Sequence, residues 1–293
     1  MKKLVVIVGP TASGKSELAV KLAKMFSGAI VSADSRQVYR GLNIGTAKPT
    51  RKMMKSIRHY LIDIRNPNQT YTVWQYKKDA LQKINKIIQK DKVPFLVGGT
   101  GLYIKTVVDN LEIPRVKPDL KLRKQLESRV KTKGLKNLYN ELIKIDPESS
   151  YIVDPQNPRR IIRALEVALK TKKPFSLQRK KGAPLFDVLQ IGLMPKRERI
   201  EKRVDEMTKE GLIREVKNLI SHYDKNLAVF DAIGYREIIN YLDKKTSLQE
   251  AIEKIKKNTW RYAKRQMTWF KKDNRINWIK NQQQAEKLIK EFL

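Results

Sequence analysis

The chain has 293 residues, with 63 Lys and Arg against 30 Asp and Glu, a net charge of +33, and no cysteine. That length can bury a substantial core, as one large domain or as a domain carrying an insertion, and 41% hydrophobic residues marks a globular chain. The missing cysteines exclude disulfides and thiolate metal sites and fit a reducing compartment. A charge so far from zero points to a polyanionic partner, nucleic acid first among them, with a compositional excess of Lys on solvated faces as the alternative.

Met1-Lys2-Lys3 and the apolar run Leu4-Val5-Val6-Ile7-Val8 imitate the start of a signal peptide. The run stops too soon, at Gly9-Pro10, for a signal's hydrophobic region. No apolar stretch approaches the length of a membrane span, so a soluble, cytoplasmic protein with no membrane partner is expected. The run predicts a buried strand, and Glu17-Leu18-Ala19-Val20-Lys21-Leu22-Ala23 a helix. Between them Gly9-Pro10-Thr11-Ala12-Ser13-Gly14-Lys15-Ser16 fits G-x-x-x-x-G-K-[ST] at every fixed position, in the strand–loop–helix context that motif requires. The glycines let backbone N–H groups turn inward on phosphate oxygens, and the helix start adds its positive end. Lys15 is placed for the outer phosphate and the Ser16 hydroxyl for Mg²⁺.

A second buried strand is predicted over Gly28–Ala33, ending at Asp34-Ser35-Arg36-Gln37-Val38-Tyr39-Arg40. Ligands of open α/β sheets sit at the carboxyl ends of the strands, so Asp34 falls on the rim that carries the phosphate loop. A turn-rich loop, Gly41-Leu42-Asn43-Ile44-Gly45-Thr46-Ala47-Lys48-Pro49, follows. His59–Ile64 is predicted as a short strand, Thr72–Asp91 as a helix by its apolar period, and Val93–Val97 as a strand running into Gly98-Gly99-Thr100-Gly101-Leu102-Tyr103. From Asp119 to about Lys172 only helical patterns appear, before a strand is predicted over Val188–Met194. Two amphipathic helices (Lys196–Thr208 and Leu212–His222), a capping box Ser247-Leu248-Gln249-Glu250 opening a helix toward Phe270, and a last helix over Ala285–Phe292 complete the reading. The expected fold class is α/β: a P-loop NTPase-like parallel sheet flanked by helices, split into residues 1–115 and 188–293 by a helical insertion over 116–187.

A phosphate loop alone makes an ATP-using enzyme the default. Against it, the strand before Gly98 ends in Gly-Gly-Thr where a Walker-B strand ends in an Asp. Asp34, opposite the cradle, suits a general base acting on a bound nucleophile, or else a structural turn or an outer ligand of Mg²⁺.

Four stretches in this order, GPTASGKS, DSRQVYR with GLNIGTAKPT behind it, GGTGLY and RYAKRQMTWF, resemble the tRNA dimethylallyltransferases, also called tRNA isopentenyltransferases, from Leu4 to about Trp278. The resemblance implies that Gly9, Pro10, Thr11, Ala12, Ser13, Gly14, Lys15 and Ser16 hold the diphosphate of dimethylallyl diphosphate, the leaving group. It implies attack on the allylic carbon by N6 of the adenosine just 3′ of a tRNA anticodon. Asp34 is then the base, Gln37 a partner of the adenine edge, and Thr100 a hydroxyl at the reacting centre; Lys15, Ser16 through Mg²⁺ and Thr100 stabilise the departing charge. An arginine from Arg199–Asp205 is implied at the diphosphate, and Arg203 is the expected one, against an ordinary exposed ion-pair helix.

The resemblance also marks the contacts to the anticodon stem-loop: Asp34, Ser35, Arg36, Gln37 and Thr100 at the base, Arg123, Gln156, Asn157, Pro158, Arg159 and Arg160 in the insertion, and Trp260, Arg261 and Arg265 on the late helix. Asn157-Pro158 also reads as a plain helix start. On the late helix, Leu248, Ile252, Ile255, Thr259, Ala263, Met267 and Phe270 form a core stripe, and basic residues interleaved with Trp260 and Trp269 lie off it. A P-loop small-molecule or nucleoside kinase is the alternative, and a non-catalytic RNA-binding ATPase a third reading. A monomer is the default oligomeric expectation.

Overall fold

The computed structural model describes residues 1–114, 116–178 and 180–293. In chain order they form β1 (Lys3–Val8), α1 (Lys15–Met25), β2 (Gly28–Ser32), α2 (Arg51–Ser56), β3 (His59–Tyr60), α3 (Val73–Ile88), β4 (Val93–Gly98) and α4 (Gly101–Val108). Then come α5 (Leu120–Lys133), α6 (Leu135–Ile145) and α7 (Pro158–Thr171). The chain continues through β5 (Asp187–Leu193), α8 (Arg197–Lys209), α9 (Leu212–His222), α10 (Tyr235–Leu242), α11 (Leu248–Phe270), β6 (Ile276–Ile279) and α12 (Gln282–Phe292). It divides into two compact units, Met1–Val108 with Leu185–Leu293, and Asp109–Pro184. Both boundaries fall a few residues earlier than the expected 115/116 and 187/188.

The first unit carries one parallel sheet of order β3-β2-β4-β1-β5-β6. Parallel strands are covered on both faces, which is why β1 is apolar without alternation. Its period of two still sorts the side chains: Leu4, Val6 and Val8 pack with Tyr76, Ala80 and Ile84 of α3 and Ile104 and Val107 of α4, whereas Val5 and Ile7 pack with Leu18 and Leu22 of α1 and Ala285 and Ile289 of α12. A third core joins α8 to α11 through Val204, Leu212, Val216, Tyr235, Ile238 and Ile255.

The expected strand His59–Ile64 shrinks to His59–Tyr60, paired with Ile30 and Val31. Leu61 and Asp63 take φ of +63° and +54°, which no pleated strand can continue through. Helices α2, α4 and α10 and edge strand β6 arise where no element was expected. Capping boxes open α3 (Thr72 with Gln75) and α11 (Ser247 with Glu250), satisfying the first amide groups of each. Among the described residues no helix is long and apolar enough to cross a membrane.

In the second unit α5, α6 and α7 close on Leu126, Leu138, Leu142, Ile161 and Leu165. At its centre lies the buried carboxylate of Glu166, which accepts from the Arg123 guanidinium (2.9 and 2.8 Å), the Asp119 amide (2.6 Å) and Arg163. Burial pushes the Glu166 carboxyl up, but these donors outweigh it and hold it below its ordinary value. Removing a partner from a buried ion cluster leaves uncompensated charge. Glu166→Gln is therefore expected to cost about 3 kcal/mol in urea unfolding monitored by hydrogen exchange of α7. A loss below about 0.5 kcal/mol would mean the cluster does not hold these helices together.

Candidate active site

Strand β1 delivers the phosphate loop, and its last residues set the cradle. Gly14 takes φ +86° ahead of α1, and no side chain caps that helix, so its first amides face the loop. The Ser13 hydroxyl is buried without a hydrogen-bond partner, an orphan that a phosphate oxygen would satisfy. Lys15 Nζ donates to Pro10 O (3.1 Å). Burial pulls the Lys15 ammonium below its ordinary pKa, and the Asp34 charge pulls partly the other way. Lys15, Ser16, Asp34, Gln37 and His59 line one small cavity at this rim.

Asp34 ends the second strand in a tight turn. Its Oδ1 accepts from the amides of Arg36 (2.8 Å) and Gln37 (3.2 Å). Among the described residues no donor reaches Oδ2. Thr100 is tied to the same turn: its Oγ1 accepts from the Ser35 amide, and its own amide donates to Ala33 O, both at 3.1 Å. Asp34, Lys15, Ser16 and Thr100 are thus brought to one rim.

Other expected site residues are committed elsewhere. The Gln37 amide is internal: Oε1 accepts from Ser32 Oγ (3.2 Å), and Nε2 donates to Thr46 O (3.2 Å) and Ala47 O (3.4 Å). It supports the loop behind Asp34, where a contact to an adenine edge was expected. Arg36 donates to the carbonyls of Ala228 and Val229 (3.3 Å each). Arg203 was expected at the diphosphate. Its guanidinium pairs with Glu210 (2.8 Å) and Glu206 (3.3 Å), whereas Arg199, one turn earlier on α8, comes to the loop: a first side-chain carbon on Gly14 would lie 3.1 Å from Arg199 Nη1. Helical period cannot decide between the two, since residues four apart share one face and the sequence does not say which end of α8 meets Gly14.

Two residues were missed. Gln266 of α11 is buried and joins both loops, accepting from the Thr11 amide (3.2 Å) and donating to Gly99 O (2.8 Å). The Tyr262 phenol is pushed up to about 12, by burial first and then by the Asp34 charge. The signal for Gln266 was a polar side chain sharing a face with Ala263 and Phe270.

The core stripe of α11 is seen with Ile255, Ala263, Met267 and Phe270 buried. Lys257, Arg261, Lys264 and Arg265 are exposed; Lys264 lies over the half-buried Trp260 ring (5.3 Å) and Arg265 over Tyr262 (5.8 Å). In the second unit Gln156, Pro158, Arg159 and Arg160 are exposed at the start of α7, capped by the Asn157 side chain on the Arg160 amide (3.2 Å). Arg123 is not available in the same way, since Glu166 holds its guanidinium.

A phosphate loop facing a strand-end carboxylate across a parallel sheet is the arrangement of the P-loop NTPase-like fold, here with Gly98-Gly99-Thr100 where a metal-holding Asp is usual. The family model for IPP transferase matches residues 37–273. A tRNA dimethylallyltransferase of Acetivibrio thermocellus is 44% identical over 300 residues, covering 99% of this chain and 96% of that one. The full-length tRNA isopentenylpyrophosphate transferase of Bacillus halodurans matches in structure with a TM-score of 0.71 at 39% identity, over 99% of this chain and 94% of that one. A eukaryotic dimethylallyltransferase acting on tRNA matches with a TM-score of 0.78 at 31% identity, over 92% of this chain and 70% of that one. The chain belongs to the IPP transferase family.

The two arginines of α8 make a direct contrast. Arg199→Ala is expected to weaken inorganic diphosphate binding by about tenfold or more in calorimetry, the loss of one charge-assisted contact. Arg203→Ala should leave it within about twofold, as for an exposed ion pair.

Proposed function

We propose that this chain transfers a dimethylallyl group from dimethylallyl diphosphate to N6 of the adenosine 3′-adjacent to the anticodon of tRNA, releasing diphosphate. The observation that carries the reading is the Asp34 carboxylate facing Lys15 and Ser16 across one cavity, with Oδ1 fixed by two amides and Oδ2 open. Family membership and the relatives named tRNA dimethylallyltransferase support it. The net charge of +33 and the exposed cations of α11 and of the start of α7 suit the anticodon stem-loop of a tRNA.

The bond that forms joins N6 to the allylic carbon, and the bond that breaks is that carbon's bond to the diphosphate oxygen, which leaves with the electron pair. The N6 proton goes to Asp34 Oδ2. An aromatic amine is a weak nucleophile, so removing its proton as the bond forms lowers the barrier, by a factor of about 10²–10⁴ for a positioned base. Negative charge grows on the leaving group, where the loop amides, Lys15, Arg199 and the Ser13 hydroxyl are already aimed. The target base reaches this cavity by leaving its stack, and Tyr262 of α11 supplies aromatic surface for it.

Mg²⁺ fits the site. Among the described residues no group of three or more His, Cys, Asp or Glu could hold a metal, and Mg²⁺ is commonly held by one or two protein oxygens together with substrate phosphates and water. Ser16 would hold it and Asp34 lines the same cavity; when bound it adds positive charge beside the leaving diphosphate. We place the protein in the cytoplasm, as a monomer.

With radiolabelled dimethylallyl diphosphate and an anticodon stem-loop RNA, Asp34→Asn is expected to lower kcat about a hundredfold or more while leaving KM for the diphosphate substrate nearly unchanged. An unchanged kcat removes Asp34 as the base. Lys15 adds a pH dependence. Its folded pKa is depressed, so the charged form that binds diphosphate is complete at low pH and is lost as pH rises through that lowered value, earlier than for a free lysine. Diphosphate affinity measured against pH should fall accordingly, and Lys15→Met should remove this part of the profile.

A further inference from the structure

We infer that Glu215, a helix residue remote in sequence from every motif, is the positioning residue that holds Gln37, and through it Asp34, in the working arrangement. The inference rests on the reading of Asp34 as the base. Glu215 lies on α9, one of the helices of the third core, and its carboxylate is half-buried rather than solvated. Its Oε2 accepts from the amides of Asn43 (3.1 Å) and Ile44 (2.8 Å). Its Oε1 accepts from the Gly45 amide (3.2 Å) and from the hydroxyl of the fully buried Tyr235 (2.7 Å). Each oxygen therefore has two donors, and three successive backbone amides converge on one anion. That is the geometry of an anion-binding nest, filled here by the protein's own carboxylate.

The nest belongs to the turn-rich loop behind Asp34, and the loop is tied at every step. Thr46 Oγ1 donates to Leu42 O (2.7 Å), closing the turn on itself. The Lys48 ammonium, its side chain 3% exposed, donates to Tyr39 O and Asn43 Oδ1 and pairs with Asp63. The carbonyls of Thr46 and Ala47 then hold the Gln37 amide group, and the Gln37 backbone N–H donates to Asp34 Oδ1. Hydrogen bonds joined by the backbone from Gly45 to Thr46 and by the Gln37 side chain thus link Glu215 to the carboxylate. The loop has no regular secondary structure between Gly41 and Pro49. Without the anion, three amides and the Tyr235 hydroxyl lose their common acceptor, and the chain that orients Asp34 loses its anchor.

The test uses the full chain with Glu215→Ala, labelled dimethylallyl diphosphate and anticodon stem-loop RNA. The expected result is a fall of at least tenfold in kcat, with KM for dimethylallyl diphosphate within twofold. Added formate should restore much of the loss by filling the vacated nest, whereas chloride at equal ionic strength should not. Glu215→Gln keeps the side-chain volume but turns one oxygen into a donor. It should lose part of the rate and gain nothing from formate, and it serves if the alanine variant does not fold. Hydrogen exchange gives a readout independent of turnover: the amides of Asn43, Ile44, Gly45 and Gln37 should lose protection in Glu215→Ala and regain it with formate. Unchanged kcat in a variant whose wild type transfers label would overturn the inference, as would loss of protection that stops at residue 45 and spares Gln37. A wild type that transfers no label overturns the functional reading instead, and the exchange experiment still decides the role of Glu215.

Discussion

The site depends on how closely the ends of β1, β2 and β4 approach one another. A side chain on Gly98 would put its first carbon 2.1 Å from Ala33 O, and one on Gly99 would lie 3.2 Å from Gly9 O and 2.4 Å from Gln266 Nε2. Glycine is therefore required where β4 leaves the sheet. The approach lets Thr100 reach the Asp34 turn and lets one buried glutamine lie across two loops. Parallel strands deliver the phosphate loop, the carboxylate and the hydroxyl to a single rim because their carboxyl ends all face the same way. The side chains that do the chemistry are short, and the backbone does most of the positioning.

Electrostatics divides the labour. Burial holds Lys15 in a place that disfavours its charge. A diphosphate therefore meets a cation that gains by its arrival, and the interaction strengthens as charge on the leaving group grows. The wide basic surface acts differently: it attracts a polyanion at long range and is screened by salt. A kinase would use the same cradle to aim a nucleophile at phosphorus. Here β4 ends in Gly98-Gly99-Thr100 where a Walker-B strand ends in an Asp, and the carboxylate beside the cradle is Asp34, after the neighbouring strand.

Much of the sheet was legible in the sequence because buried parallel strands are unbroken apolar runs and the phosphate loop marks the first turn. The helical boundaries of α9 followed from its amphipathic period. Strand β3 was overextended since positive φ at Leu61 and Asp63 leaves no trace in hydrophobicity. Edge strand β6 and helix α10 were lost because one is short and partly exposed and the other follows a stretch with no strong cap signal. At the site, contiguous motifs mark their residues in the sequence, whereas residues arriving from distant helices carry no such mark. Arg199 and Gln266 act through the face of a helix, which the period gives, but against a loop whose position only tertiary packing gives. Gln37 was expected at the adenine edge because a polar residue beside a strand-end carboxylate gives no sign that its amide is bonded internally.

The central claim is that the phosphate loop holds a leaving group and that the bond broken is carbon to oxygen. The measurement is transfer from dimethylallyl diphosphate carrying ¹⁸O in the bridging position between carbon and phosphorus, with anticodon stem-loop RNA as acceptor. The account predicts modified adenosine in the RNA and the heavy oxygen wholly in the released diphosphate. Heavy oxygen retained on the five-carbon product, with phosphate passed to an acceptor, would mean attack at phosphorus and would contradict it.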